Sequence, residues 1–343
     1  MPVVTEEDIA DLITSTNPAY KKGKFHDMAQ EFVEYYVMPL WFKRDRVNVS
    51  SGHSIRETLM TRYATARNVG LDDLDQFSII DHLKKMEVPW RRSTVNWTYN
   101  IREMLENREP AKIVDEIKVR RLGAKGGMAN LMERNAWSAP SSTTDETSWW
   151  GVPYWVPTGT TQGFTGGAPS GFTTKAGLDP AVVTRMNSYY GTYTTINKDD
   201  FIDLVVEAMY RTGFKNPIGL EDFRSSKGQN FRCYTTWAVK RALEKVGEGQ
   251  NENLGRDLDS MDGVTTIKGN GIWAVGMLEE DSTAPFYGLN HKTFVPNFLE
   301  GDFMRETGPA PIPFQHDWRS VHTDVSGNYV CVDPSSCFKV QHS

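Results

Sequence analysis

Residues 149–172, WWGVPYWVPTGTTQGFTGGAPSGF, constrain this chain more than any other segment. Trp149, Trp150, Tyr154, Trp155 and Phe164 are interleaved with glycine and proline, and neither the helical nor the strand period fits them. Proline withdraws backbone donors and glycine opens positive φ, so an irregular loop is expected. Its aromatics can hold it in one shape by packing, which a disordered linker cannot do.

The flanking sequence supplies regular elements. Residues 93–105 partly alternate, with Val95, Trp97, Tyr99 and Ile101 on one face of an expected strand. Pro110 suits the first turn of a helix that runs to about Trp137. Ile113, Ile117, Ala124, Met128 and Leu131 give it a buried stripe, and Gly123, Gly126 and Gly127 threaten to kink it. A second helix is expected to start at Asn197, with Asp199 and Asp200 at its positive end and a stripe of Phe201, Leu204, Val205, Ala208 and Met209, and to end at Gly213. A third covers about 235–246 and stops at Gly247. Residues 264–278 read as strand, turn, strand, and 286–304 as short strands or loops. The last thirty residues read as a hairpin turning at Ser326–Asn328. Helices and strands are mixed without βαβ alternation, which makes the class α+β.

Charge is unevenly placed. Residues 43–67 hold Lys43, Arg44, Arg46, Arg56, Arg62 and Arg67 against Asp45 and Glu57, a net +4, whereas 72–87 hold Asp72, Asp73, Asp75, Asp81 and Glu87 against Lys84 and Lys85, a net −3. Large aliphatics are sparse between 43 and 68, so this region buries little core of its own. It reads either as an extended hairpin laid on a neighbouring subunit of complementary charge, or as a solvated loop. Ahead of it, residues 1–40 form an arm with a helix capped by Thr5, a break at Asn17–Pro18 and a second helix over 25–37. Lys21, Lys22 and Lys24 could make weak, salt-sensitive phosphate contacts or simply solvate the arm.

The whole chain of 343 residues exceeds one typical core and suggests about two lobes. Its net charge of −6 gives no reason to expect a dedicated nucleic-acid binder. No run approaches the ~18 apolar residues that span a bilayer, and the acidic start MPVVTEEDIADL lacks a signal-peptide pattern. Cys233, Cys331 and Cys337 are odd in number, which argues for a reducing compartment over a disulfide framework, although Cys331 and Cys337 could be bridged across a turn at Asp333–Pro334.

Motifs for chemistry fail on context. Gly269, Gly271 and Ala274 match G-x-G-x-x-A, but a strand-like IWAVGM follows in place of a helix, and no acid stands at 289–291. Asp257, Asp259, Asp262 and Gly263 resemble a calcium loop whose closing position is Lys268. His316, His322 and Asp324 share strand parity, but two histidines six apart are too distant for first-shell ligands unless the strand bends. Ser170 lacks the G-x-S-x-G spacing, residues 123–127 lack P-loop order, and Glu279, Glu280 and Asp281 have no identifiable partner. No catalytic residue, metal or cofactor is assigned.

Five segments together resemble the tailed-phage major capsid protein family: VPWRRSTVNWTYNIREMLENREPAKIVDEIKVRR (88–121), WGVPYWV and GFTGGAPSGF within 150–172, YGTYTTINKDDFIDLVVEAMYRTGFKNP (190–217), GQNENLGRDLDSMDG (249–263) and FYGLNHKTFVPNFLEGDFMRETGP (286–309). No one of them is diagnostic; the specificity lies in their succession. The resemblance implies the Johnson fold, with an N-terminal arm at 1–42, an E-loop within 43–92, and a peripheral domain of 93–138 and 301–343 carrying a spine helix at about 110–137. It places an axial domain at 139–300. It also implies a structural, non-enzymatic role. Hexamers and pentamers would close into an icosahedral head around double-stranded DNA, in a virion assembled from protein made in the host cytoplasm. Partners would be further copies of the chain, portal, scaffold and decoration proteins, and the packaged DNA by weak contact, with no membrane. Arg44, Arg46, Arg56, Arg62, Arg67, Asp72, Asp73 and Asp75 are the candidate inter-subunit contacts, and Lys21, Lys22 and Lys24 the candidate DNA or neighbour contacts. Three alternatives stay open: a nanocompartment shell of the same fold, a glycan-active enzyme using 149–172 as an aromatic platform, and a minor virion or decoration protein.

Overall fold

A computed structural model describes residues 47–63, 66, 68, 81–102, 110–213, 231–251 and 265–343. Along the chain these form β1 (Val47–Val49), β2 (Ser54–Met60), β3 (Leu83–Pro89), β4 (Arg91–Asn100), α1 (Pro110–Ala136), α2 (Val152–Trp155), β5 (Gly163–Gly166) and β6 (Ser188–Tyr193). Then come α3 (Asp203–Arg211), β7 (Phe231–Thr235), α4 (Trp237–Asn251), β8 (Thr266–Ile267), β9 (Asn270–Ala274), β10 (Phe286–Asn290), β11 (Phe294–Ile312), β12 (Gln315–Cys331) and β13 (Phe338–His342). The α+β class stands, and the chain divides into two compact units. The smaller gathers Arg92–Met132 and Gly301–Ser326; the larger gathers Glu133–Glu300, Gly327–Ser343 and the stretch ending at Arg91.

In the smaller unit, the arginine side of α1 ties to the long strands: Arg121 pairs with Glu306 at 2.7 Å, and Arg120 Nη1 donates to Thr98 O at 2.8 Å. Of the expected stripe, the side chains of Ile113 and Ile117 lie outside the described residues; Ala124, Met128, Met132 and Ala136 are buried at four-residue steps, while Leu131 is exposed. The glycines do not break the helix. Gly123 and Gly126 face open space, and a Cβ on Gly127 would only touch Val95 at 3.9 Å, so packing at the alternate turns carries the cost of their low propensity.

The larger unit is organised by a seven-stranded sheet of order β5-β6-β13-β10-β7-β9-β8. The β10 strand is antiparallel to both β7 and β13, and β13 runs parallel to β6. Helix α3 lies on this sheet through Leu204, Val205, Ala208 and Met209, all buried, with Phe201 of the preceding π-turn beside them. Asn197 accepts from the Asp200 N–H at 2.7 Å, the expected cap. Helix α4 runs past Gly247 to Asn251, so that glycine does not stop it as expected.

A four-stranded sheet has the order β1-β11-β12-β4. The expected turn at Ser326–Asn328 is not there: all three residues lie inside β12, and the connection between β11 and β12 falls at Pro313–Phe314. Gly327 answers a different demand, since a Cβ on it would stand 2.6 Å from the Asn297 carbonyl and 2.6 Å from the Phe298 ring. Close approach of two strands, not a turn, requires glycine at this position. Over 286–304 the expected short strand is β10, but from Phe294 the chain enters β11, which is 19 residues long.

Candidate assembly surface on a charged hairpin

The first part of the segment, residues 149–157, is core, while much of 158–172 lies at the surface. Trp149, Trp150, Tyr154 and Trp155 are buried, whereas Phe164 is 40% exposed. Pro153 lies in the first turn of α2, which is one short turn within an otherwise irregular path. Trp150 stacks on Tyr154 with centroids 4.2 Å apart, and Phe172 meets Tyr154 edge-on at 5.2 Å. Four of the five rings are thus turned into the core rather than outward.

The same loop encloses one charge that sequence reasoning passed over. Lys175 is fully buried, and its Nζ donates to the carbonyls of Trp155 (3.1 Å), Gly166 (3.0 Å) and Met186 (2.8 Å). Burial pulls its pKa down to about 7, while one acceptor for each N–H favours keeping the proton. With every donor used, Lys175 is a strut that joins three stretches of loop. Nothing in TTKAGLD distinguishes it from a surface lysine.

The hairpin of β2 and β3 is the exposed feature of the larger unit. It is antiparallel with Ser54 opposite Pro89 and Met60 opposite Leu83. Side chains alternate across it. On one face Ile55, Met86 and Val88 are buried and hold the base. On the other, Arg56, Thr58, Met60, Leu83, Lys85 and Glu87 are all exposed. Three further bonds fix the base: Glu87 N to Ala176 O at 3.1 Å, Trp90 Nε1 to Gly52 O at 2.9 Å, and Asn328 Nδ2 to Pro89 O at 2.9 Å.

The open face is graded along its length. Near the base Arg56 and Glu87 pair at 3.0 Å, with Ser54 Oγ donating to the same carboxylate at 2.5 Å. These donors, Ser54 first, hold Glu87 below the usual carboxylate range. Further out Met60 and Leu83, cross-strand partners, are both more than half exposed, and Tyr63 follows at 86%. His82 Nδ1 lies 3.0 Å from the Arg62 carbonyl, which assigns the ring's donor to that nitrogen. Arg62 itself is exposed. Of the eight candidate inter-subunit residues only Arg56 and Arg62 are therefore placed. Arg44, Arg46, Arg67, Asp72, Asp73 and Asp75 lie outside the described residues, as do Lys21, Lys22, Lys24 and the Asp257–Gly263 segment. The apolar outer end was legible only as facing residues on the two arms of the hairpin, a signal hidden by the charge around it.

The other candidate residues are accounted for by local roles. Lys268 and Gly269 both take positive φ in the turn between β8 and β9, so G-x-G-x-x-A is a strand turn. Glu279 accepts from the Trp237 N–H at the start of α4, and Asp281 accepts from Thr283. His316 pairs with Asp317 and His322 contacts Ser320, so the two histidines face different partners. Among the described residues no group of three or more His, Cys, Asp or Glu is placed to hold a metal ion, and no helix is long and apolar enough to cross a membrane.

No family model and no curated protein matches the sequence. Solved structures do match. The chain is similar to the subunit of the cyanophage A-1(L) capsid asymmetric unit, with a TM-score of 0.64 and 12% identity over 92% of this chain and 95% of that one. It is also similar to the capsid of Myoviridae phage XM1 (TM-score 0.54, 8% identity, 93% and 97% covered). A third match is the mature capsid of bacteriophage PhiM1 (TM-score 0.54, 12% identity, 88% and 87% covered). Likeness over nearly the full length of each partner, at identities too low to see by sequence alignment, shows that this chain has the phage capsid fold, the Johnson fold its segments resemble.

Proposed function

We propose that this chain is a major capsid protein whose copies assemble as hexamers and pentamers into an icosahedral head around double-stranded DNA. The observation that carries the reading is a capsid fold matched over about nine-tenths of the chain, joined to a hairpin anchored at its base and wholly open on one face. A two-stranded ribbon in isolation is marginal in water, so its open face is best explained as a surface for a second subunit. The smaller unit is assigned to the peripheral domain with α1 as spine helix, and residues 327–343, expected there, fall in the larger unit, which is assigned to the axial domain; β2–β3 is assigned to the E-loop. Arg62, the Met60–Leu83 end and the charged residues at 44, 46, 67 and 72–75 contact the neighbouring copy, and many such weak contacts sum through multivalency. Lys21, Lys22 and Lys24 touch DNA or a neighbour. The protein acts in the virion as a structural component, is made in the host cytoplasm, and meets portal, scaffold and decoration proteins there.

Expression of the full chain, followed by negative-stain imaging and assay of the purified particles for nucleic acid, tests this. Closed shells with capsomers of five and six copies are expected. Shells carrying protein cargo and no DNA route would identify a nanocompartment instead, and a strictly monomeric protein under all assembly conditions would overturn the assignment.

A further inference from the structure

The chain passes from β11 to β12 through Pro313 and Phe314 alone. Phe314 is fully exposed and takes a φ of 66°. Proline followed by a residue of positive φ is the order of a type II turn, whose second central position favours glycine. A bulky side chain there is a conformational outlier, and a ring left in water returns nothing for it. The tip around it carries no charge. From Thr307 to Gln315 the sequence TGPAPIPFQ holds neither acid nor base, and residues 307–311, 313 and 314 are all exposed. The charges that bound this stretch are engaged locally: Glu306 pairs with Arg121 at 2.7 Å, and His316 lies 3.1 Å from Asp317. Pro309, Pro311 and Pro313 fix their own φ angles, so the tip has little freedom left to lose on contact. A strained, bare aromatic on a stiff and uncharged tip is explained by a contact made outside the subunit.

We propose that the β11–β12 tip is an assembly contact in which Phe314 of one copy packs against Phe314 of neighbouring copies about a symmetry axis. Charge decides the occupant. Symmetry sets identical residues against each other, so a tip bearing charge of one sign would repel its own copies, whereas an uncharged tip meets them without that penalty. A phosphate backbone would call for lysine or arginine, and none stands between Arg305 and Arg319. Rings meeting offset or edge-on bury the aromatic surface that the single chain leaves wet. Phe314 thus lowers the stability of the free subunit and gives a return only in the assembled state. The inference rests on the reading of this chain as a shell protein.

The test uses the full chain with p-benzoylphenylalanine in place of Phe314, co-assembled with an excess of wild-type chain, irradiated and digested with trypsin. Cleavage after Arg305 and Arg319 releases the peptide Glu306–Arg319, so a cross-link between two copies of that one peptide can form only between subunits. This doubled peptide is expected from particles and not from unassembled subunits at the same protein concentration. Phe314→Gly relieves the backbone and removes the ring. It should raise the melting temperature of the unassembled subunit while cutting particle yield several-fold at limiting concentration. Particles whose cross-links run from position 314 to any other site, or that carry none, would overturn the proposal and leave the shell assignment standing. A glycine variant that assembles like the wild type would do the same. A wild-type chain that forms no particles would remove both.

Discussion

The indole Nε1–H of Trp155 donates to the backbone oxygen of Tyr329 at 3.1 Å, across 174 residues of chain. Trp155 is fully buried, and its own carbonyl accepts from Lys175. A loop without periodicity is thereby fastened to β12 at one end of a side chain and to a buried ammonium at its backbone. Trp155→Phe keeps much of the apolar area but strands the Tyr329 carbonyl, so a loss of about 1–3 kcal/mol is expected. Trp155→Ala also opens a cavity and is expected to cost about 3–5 kcal/mol. Urea denaturation of both variants measures this. A phenylalanine variant with the wild-type midpoint would show the bond to be without net value.

Asn328 is the complementary anchor on β12. Its Oδ1 accepts from the N–H groups of Trp150 and Tyr329, each at 2.9 Å, and its Nδ2 donates to Pro89 O at 2.9 Å. Three partners from three stretches of chain converge on one side chain with no exposed surface. Asn328→Ala removes all three bonds and leaves buried donors unmatched, with an expected loss of about 2–4 kcal/mol. Asn328→Asp retains the acceptor and loses only the bond to Pro89, while introducing a buried carboxylate that must find a proton. The two variants are expected to separate: hydrogen exchange at the Trp150 and Tyr329 amides should accelerate in the alanine variant before it does in the aspartate variant.

These two anchors mark the limit of what the sequence could tell. Where a residue's neighbours along the chain decide its environment, expectation and structure agree: the Asn197 cap, the stripe from Phe201 to Met209 and the alternation around Val95 and Trp97 are all local patterns, although β4 ends at Asn100 and Ile101, expected to continue it, is helical. Where a partner comes from far along the chain, they part. Gly327 looks like turn punctuation until the Asn297 carbonyl is seen 2.6 Å from the place its Cβ would take. Helix α4 passes Gly247 because propensity costs only about 1 kcal/mol there, less than tertiary packing can offset. On the candidate surface, the charged pair Arg56–Glu87 was legible as charge on opposite arms, but not as an internal pair, because register depends on where the turn falls.

The buried imidazole of His291 sets an acid limit. Its Nε2 lies 3.0 Å from the Tyr234 hydroxyl, and burial, followed by the nearby Arg232 guanidinium, drives its pKa well below the ordinary 6.5. The unfolded chain takes up a proton below pH ~6.5 that the folded chain refuses. The stability contribution is therefore complete above that pH and is lost as pH falls from there toward the folded value, by about 1.4 kcal/mol for each pH unit. Carboxylates held low, such as Glu87 and Asp200, start to contribute their own loss only below about pH 4.5. Between those limits, denaturant midpoints of the wild type should fall with pH, and those of His291→Gln should stay level. Parallel slopes for the two proteins would remove His291 from the account.

Pairing within the hairpin changes what a charge reversal should do to assembly. Arg56 stands opposite Glu87 in register and bonds to it, so Arg56→Glu sets two carboxylates against each other across the ribbon. The pair is exposed, and its loss is expected to loosen the hairpin without unfolding the subunit. The charge swap Arg56→Glu with Glu87→Arg rebuilds the internal pair with its polarity reversed. If Arg56 acts only inside its own hairpin, the swap should restore particle yield; continued failure would mean that a neighbouring subunit reads the sign of that charge. Arg62→Glu has no such internal account, because Arg62 offers its backbone oxygen to His82 and leaves its guanidinium at the surface. Its reversal is expected to weaken each inter-subunit contact by only about 0.5–1 kcal/mol, yet to suppress assembly, since the deficit repeats at every copy. Raising salt should weaken wild-type assembly and narrow the gap between the two proteins. Light scattering at matched concentrations over a salt series reads both effects, and wild-type kinetics from Arg62→Glu at low salt would show that the guanidinium meets no partner in the shell.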